Sequence, residues 1–194
     1  MENSEIKYQK IKEEIIHCQK CPLWRTRIKP VPGEGSLKAK IMFIGEAPGA
    51  NEDREGRPFC GAAGKVLDHL LEIANLKREE IFITNILKCR PPQNRDPQKE
   101  EINACSPYLE EQIEIIKPKI ICTLGNYSTA YIFEKYALKD KIQGISKIHG
   151  QVFEIKNLFQ SIKIIPFYHP AVVTYNINMK TTLEKDFQVL KNLI

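Results

Sequence analysis

The chain has 194 residues, 42% of them hydrophobic, and a formal net charge of +5. This length and apolar content suit one compact domain, residues 1–194, built around a single core. No apolar run approaches the roughly 20 residues that a membrane-spanning helix needs, and so modest a charge is compatible with nucleic acid without implying it. The opening MENSEIKYQK is charged and lacks the apolar stretch of a signal peptide, which predicts a cytoplasmic protein. In a reducing compartment the six cysteines point to metal ligation or free thiols rather than disulfides.

Residues 3–17 set Ile6, Ile11, Ile15 and Ile16 among charges, the pattern of an amphipathic helix. It runs into Cys18-Gln19-Lys20-Cys21-Pro22 and a basic segment, Leu23-Trp24-Arg25-Thr26-Arg27. Gly33-Glu34-Gly35 reads as a turn, and a first strand begins near Lys40. Residues 41–64 are the most informative stretch. Residues 41–44 have the continuous apolar character of a buried parallel strand. Gly45-Glu46-Ala47-Pro48-Gly49 then forces a tight turn, bringing backbone N–H groups to the carboxyl end of the strand. Open α/β sheets place their ligands there. A polar loop with Glu52, Asp53, Arg54, Glu55 and Arg57 follows, and Pro58-Phe59 leads into Gly61-Ala62-Ala63-Gly64. Val66, Leu67, Leu70, Leu71 and Ala74 fall at helical spacing. A strand, a glycine turn, a charged loop and one aromatic before a helix describe a small pocket. Neither GxGxxG nor GxxxxGK[ST] is present.

Residues 81–87, IFITNIL, read as a second buried strand, followed by a basic, proline-rich loop from Lys88 to Pro97. Residues 98–116 read as a helix with Ile102, Cys105, Leu109, Ile113 and Ile116 on one face. Residues 119–124 make a third strand, and Gly125 opens another helix. Val152-Phe153-Glu154-Ile155 suits an edge strand, and residues 162–167 a further strand ending at Tyr168-His169-Pro170. A last helix covers residues 179–194. Strands alternating with helices predict an α/β fold, a three-layer αβα sandwich on a parallel sheet.

Cys18 and Cys21 have the spacing that lets one turn offer two thiolates to one metal centre, and Cys89 and Cys105 lie in a loop and on the helix after it. Four such ligands suit either zinc or an iron–sulfur cluster. Cys122, inside the apolar KIICTL, reads as a small core residue, and Cys60 as packing.

The series GEAPGxxED, GxPF-x-G-x-AG, TN-xxx-CRPP and HP, with CxxC near the start, closely resembles family 4 uracil-DNA glycosylases, in the same order along nearly the whole chain. The resemblance implies a central four-stranded parallel sheet, uracil excision from DNA, and a [4Fe–4S] cluster on Cys18, Cys21, Cys89 and Cys105. Cys60 departs from the small aliphatic residue more usual there. Ala171-Val172-Val173-Thr174-Tyr175 departs from the leucines and arginine that often follow the histidine, which leaves open the side chain that props the duplex apart.

An enzyme acting on a base in a duplex must extrude it, stack it and read its edge. Phe59 is the candidate stacking plate. The Asn85 amide is placed to accept from uracil N3–H and donate to O4, a pattern that cytosine reverses. Breaking the glycosidic bond puts negative charge on O2, where His169 and the backbone turn of Gly45, Ala47 and Gly49 are the expected donors. Glu46 and Glu52, with Asn85 third, are the groups expected to orient water or offset the sugar's positive charge. Glu52 is also expected to exclude thymine. Arg57, Arg90 and Arg95 are the expected phosphate contacts. The expected partner is uracil-containing DNA, single- or double-stranded, met by a monomer away from any membrane; a replication-clamp contact is not readable in these residues. Two other readings fit the same residues at this point: a uracil-DNA binding protein with little turnover, and a zinc-stabilised nucleic-acid module.

Overall fold

The structure is a computed structural model that describes residues 4–156 and 161–193. The chain order is α1 (Ser4–Ile16), β1 (Glu34–Gly35), β2 (Ile41–Gly45), α2 (Ala50–Glu55), α3 (Ala62–Ile73), β3 (Phe82–Asn85), α4 (Lys99–Ile116) and β4 (Ile120–Leu124). Then come α5 (Asn126–Lys135), α6 (Ile145–Ile148), β5 (Phe153–Lys156), β6 (Ser161–Phe167), α7 (Val172–Tyr175) and α8 (Met179–Phe187). Residue 3 of the expected first helix, residue 194 of the expected last one, and residues 157–160 lie outside the described residues.

The six strands form one sheet in the order β1-β3-β2-β4-β6-β5. The middle four, β3-β2-β4-β6, are parallel, as the fold expectation has it. Antiparallel strands close both edges: β1 beside β3, and β5 beside β6. The whole sheet is therefore mixed. β5 is the expected edge strand, whereas β1 replaces an expected turn at Gly33-Glu34-Gly35. Gly35 has φ +125°, and a Cβ there would sit 1.9 Å from the Ile81 carbonyl oxygen, so only glycine lets this edge close on its neighbour.

Alternation along the strands sends successive side chains to opposite faces. Phe43, Ile83, Cys122 and Ile165 meet Leu67, Leu70 and Leu71 of α3 and Leu183 and Phe187 of α8 on one face. Met42, Ile44, Ile121 and Ile164 meet Leu109 and Ile113 of α4 and Ile132 and Phe133 of α5 on the other. Burying each of these large side chains is worth roughly 1.5–3 kcal/mol, so the two faces carry most of the fold's stability. Cys122 lies fully inside the first of them, as its apolar surroundings predict. Among the described residues no helix is long and apolar enough to cross a membrane.

Three expectations about local structure are corrected. The polar stretch after Gly49 is the short helix α2, with Gly56 as its left-handed cap (φ +74°); its charges suggest a loop, but a glycine cap stabilises one extra turn. The second strand stops at Asn85. Beyond it the Ile86 and Leu87 N–H groups donate to the Gly45 and Glu46 carbonyls (3.0 Å each), folding residues 86–88 into a buried turn. The last helix ends at Phe187, and a tighter 3-10 turn, Gln188–Asn192, continues the chain.

Candidate active site and cysteine pocket

The carboxyl ends of β2, β3 and β6 open on one edge of the sheet, over a cavity of about 320 Å³. Glu46, Ala47, Pro48 and Gly49 line one side, Glu52, Phe59 and Ala63 a second, and Asn85, Pro91, Asn94, Arg95, His169 and Ala171 the rest. Asn85 is buried, and its Oδ1 is the one buried side-chain polar atom without a hydrogen-bond partner among the described residues. Such an atom costs about 1–3 kcal/mol unless a ligand satisfies it. Gly45 makes room for it, since a Cβ there would lie 2.3 Å from Asn85 Oδ1 and 2.9 Å from Phe59 Cζ.

Phe59 stands 5.5 Å from the His169 ring, tilted by 31°. Its backbone is left-handed (φ +48°), a strained state for an aromatic residue that the surroundings must hold. Glu52 does this: its Oε1 accepts the N–H groups of Cys60 (3.0 Å) and Gly61 (3.1 Å), the two residues after the ring. The Glu52 carboxylate is thus anchored and not a solvated loop charge. A Cβ on Gly49 would meet its other oxygen at 2.7 Å, so that oxygen faces the turn.

His169 is half-buried, and its Nδ1 accepts the N–H of Ala171 (3.2 Å). A ring nitrogen that accepts carries no proton, which leaves Nε2 as the N–H donor. Burial pulls its pKa down to about 4, with Glu52 opposing the shift, so the ring is neutral near pH 7. Glu46 is half-buried too; burial and the nearby Asp96 push its carboxyl up to about 7.

The three arginines differ in their commitments. Arg57 donates to both carboxylate oxygens of Glu34 (2.7 and 3.2 Å), away from the cavity wall. Arg95 lines the cavity but forks onto buried Glu101 (2.9 and 2.6 Å). Arg90 holds Asn94 Oδ1 (2.8 Å). Pro91 and Asn94 were not among the expected site residues. Asn94 has a left-handed backbone (φ +55°), for which an asparagine in a proline-rich loop is the available signal.

A second pocket is lined by all four expected cysteines, Cys18, Cys21, Cys89 and Cys105, together with Ile15, Leu23, Leu87 and Tyr108. It joins α1, the 3-10 turn Pro22–Arg25, the 86–88 turn and α4. None of the six cysteines is in a disulfide. Arg27 donates to Cys89 Sγ (3.1 Å), and the Lys88 backbone N–H to Cys105 Sγ (3.2 Å). Burial raises the thiols of Cys21, Cys89 and Cys105, the last to about 12. Among the described residues no group of three or more His, Cys, Asp or Glu side chains is placed to hold a metal ion. Cys60 is half-buried in the loop after Phe59, apart from this set. Lys88, which opens the basic loop, is only 1% exposed, and nothing in its local sequence signals that burial.

Comparison with known proteins shows the family of the chain. The chain is 54% identical to a type-4 uracil-DNA glycosylase of Sulfurisphaera tokodaii over 186 residues, 95% of this chain and 84% of that one. It is 44% identical to a type-4 uracil-DNA glycosylase of Archaeoglobus fulgidus, covering 94% of this chain and 91% of the relative. For one of Thermotoga maritima the figures are 37%, 95% and 93%. The family model of the uracil DNA glycosylase superfamily matches residues 32–191, which span both the cavity and two of the four cysteines, and the chain belongs to that superfamily.

Proposed function

We propose that the chain excises uracil from DNA as a monofunctional glycosylase, hydrolysing the N-glycosidic bond and leaving an abasic site for base excision repair. The observation that carries this reading is the unpartnered Oδ1 of Asn85, buried in a cavity beside Phe59 and His169. Uracil presents N3–H to that oxygen and O4 to the amide nitrogen, while Phe59 stacks on the ring. Cytosine presents a lone pair at N3 and an amino group at C4, so both contacts reverse. A mismatch of this kind in a buried site costs about 1–3 kcal/mol for each unpaired group.

As the bond breaks, negative charge gathers on uracil O2 and positive charge on the sugar. The Nε2–H of neutral His169 stabilises the first, with help from backbone N–H groups of the Gly45-to-Gly49 turn. A neutral donor suits this role because it needs no proton loss to stay in place. The Glu46 carboxylate orients the water and offsets the sugar's charge. Glu52 holds the Phe59 loop and, beside Gly49, leaves no space for the C5 methyl of thymine. Among the expected phosphate contacts, Arg95 lines the cavity, Arg90 holds the lining residue Asn94, and Arg57 is bound to Glu34. Tyr175 and Ile177 are large, apolar and exposed just after His169, and so available to fill the gap the extruded base leaves.

The four thiols fit the implied [4Fe–4S] cluster. Their pocket offers no His or carboxylate, and a cluster asks for sulfurs spread around it, not converged on one point. Arg27 and Lys20 border the pocket and would offset the negative charge of a thiolate-bound cluster. When bound, the cluster would tie α1, the 86–88 turn and α4 through iron–thiolate bonds. Hydrolysis of a glycosidic bond transfers no electrons. The zinc reading is tested by colour and metal content: iron with a visible thiolate-to-iron band is expected, and a colourless protein with one zinc overturns the cluster. The function is tested by incubating the protein with a uracil-containing oligonucleotide and adding alkali. Strand scission at the uracil with repeated turnover is expected; binding without turnover would favour the binding-protein reading.

A further inference from the structure

Lys88 lies between the two pockets. Its Nζ lies within hydrogen-bond distance of three oxygens, Thr84 Oγ1 (2.7 Å), the Asn85 backbone carbonyl (2.7 Å) and Gln112 Oε1 (2.9 Å). The scaffold behind it is equally committed. Gln112 Nε2 and the Thr84 hydroxyl both donate to the Pro32 carbonyl, at 2.7 and 3.1 Å. The Lys88 N–H donates to Cys105 Sγ (3.2 Å), and its carbonyl accepts from the Val31 N–H (2.7 Å).

A buried lysine nitrogen bonded only to neutral oxygens is an expensive feature, and an apolar side chain would pack there at less cost. Its position shows what it holds. The Asn85 side-chain oxygen has no partner, so no hydrogen bond to that atom orients the amide. Its direction comes from the backbone that carries it, and the Asn85 carbonyl is the atom Lys88 grips. We propose that Lys88 is a positioning residue, which sets the direction of the Asn85 amide from a scaffold of Thr84, Gln112 and the cysteine pocket. The inference rests on the reading of Asn85 as the base-reading group. It also makes residues 85–88 the physical link between the cysteines and the base: one end carries the amide, and the other donates to Cys105.

An aliphatic side chain of similar length fills the space but withdraws the Lys88 donor from three oxygens, of which Gln112 Oε1 keeps the Thr84 hydroxyl within reach (3.2 Å). The Asn85 carbonyl then turns to find another donor. Misplacing a catalytic contact by about 1 Å costs up to about 10²-fold in rate.

The test makes Lys88→Met and Asn85→Ala singly and together, measuring iron content and melting temperature beside single-turnover cleavage of a uracil oligonucleotide. Lys88→Met is expected to slow cleavage by about 10- to 100-fold when Asn85 is present. In the Asn85→Ala background it is expected to change the rate by less than about 2-fold, because nothing remains to be positioned. An equal loss in both backgrounds, or no loss in the first, overturns the proposal. Should Lys88→Met fail to fold or lose its iron, Gln112→Leu keeps the lysine, removes its anchor and carries the same cycle by the same criteria. A wild-type protein that leaves uracil uncut, or an Asn85→Ala variant that cuts at the wild-type rate, fails the reading of the site and takes this inference with it.

Discussion

His169 and Glu46 face one cavity with opposite protonation behaviour, and pH separates their contributions. His169 has Nδ1 occupied by the Ala171 N–H and a pKa pulled down to about 4 by burial. Its ring stays neutral above about pH 5, so it leaves no inflection in the rate there. His169→Ala is expected to lower the single-turnover rate by about 10²–10³ while binding of uracil-DNA stays nearly unchanged. Rate, affinity and melting temperature measured together check this, since loss of a structural cap lowers all three. Glu46 is pushed up to about 7, first by burial and then by Asp96. A raised carboxyl pKa leaves the group protonated below that pH, and the ionised form is the one that orients water. Excision is therefore expected to rise with pH through about 7. Glu46→Gln should flatten the profile at a lower rate. Asp96→Asn should move the midpoint to lower pH by removing a like charge. Single-turnover rates across that range decide both.

Among the elements, the segment from α2 to the start of α3 does the positioning that its sequence least advertises. Gly56 caps α2, which places Glu52 so that one carboxylate oxygen takes the N–H groups of Cys60 and Gly61. Those bonds hold Phe59 in its left-handed state. Gly64 lets the first turn of α3 approach the Phe59 backbone, since a Cβ there would sit 1.9 Å from the Phe59 carbonyl oxygen. Glu52→Ala frees two N–H groups and opens space beside Gly49. It is expected to slow uracil excision and to admit thymine from a T·G pair, both read by alkaline scission of labelled duplexes. Unchanged uracil cleavage with no thymine cleavage would remove Glu52 from the site.

At the scale of the molecule, the four pocket cysteines come from segments far apart along the chain. α1 packs on α4, but residues 17–33 cross to the sheet edge with little regular structure between them. The proposed cluster, held by Cys18 and Cys21 on one side and by Cys89 and Cys105 on the other, would close that crossing. Iron removal is expected to lower the melting temperature by roughly 5–10 °C, the shift that about 2–3 kcal/mol produces in a chain of this size. Hydrogen exchange should rise first in residues 4–27, while the β2 and β4 amides stay protected. Equal loss of protection throughout would place the cysteines in the core's own cooperativity.

The parallel strands, the long helices and the order of the pocket residues were legible from sequence. The residues at Ile41, Leu67, Leu109 and Ile120 repeat with the period of their elements, and periodicity is a local property. Gly45, Asn85 and His169 were legible as strand-end residues for the same reason. The edge strand β1, the helix α2 and the buried turn at residues 86–88 were not. Each is stabilised by atoms far along the chain: Ile81 and Phe82 for β1, Ile28 and Lys29 bonded to Asp53 for α2, and Gly45 and Glu46 for the turn. Charge commitments were equally hidden, since a sequence does not reveal that Arg57 is bound to Glu34 or that Lys88 is buried. Local pattern therefore determined which residues could meet at the sheet edge. Long-range hydrogen bonds and burial decided which of them face the cavity, because both depend on neighbours that only the folded chain brings together.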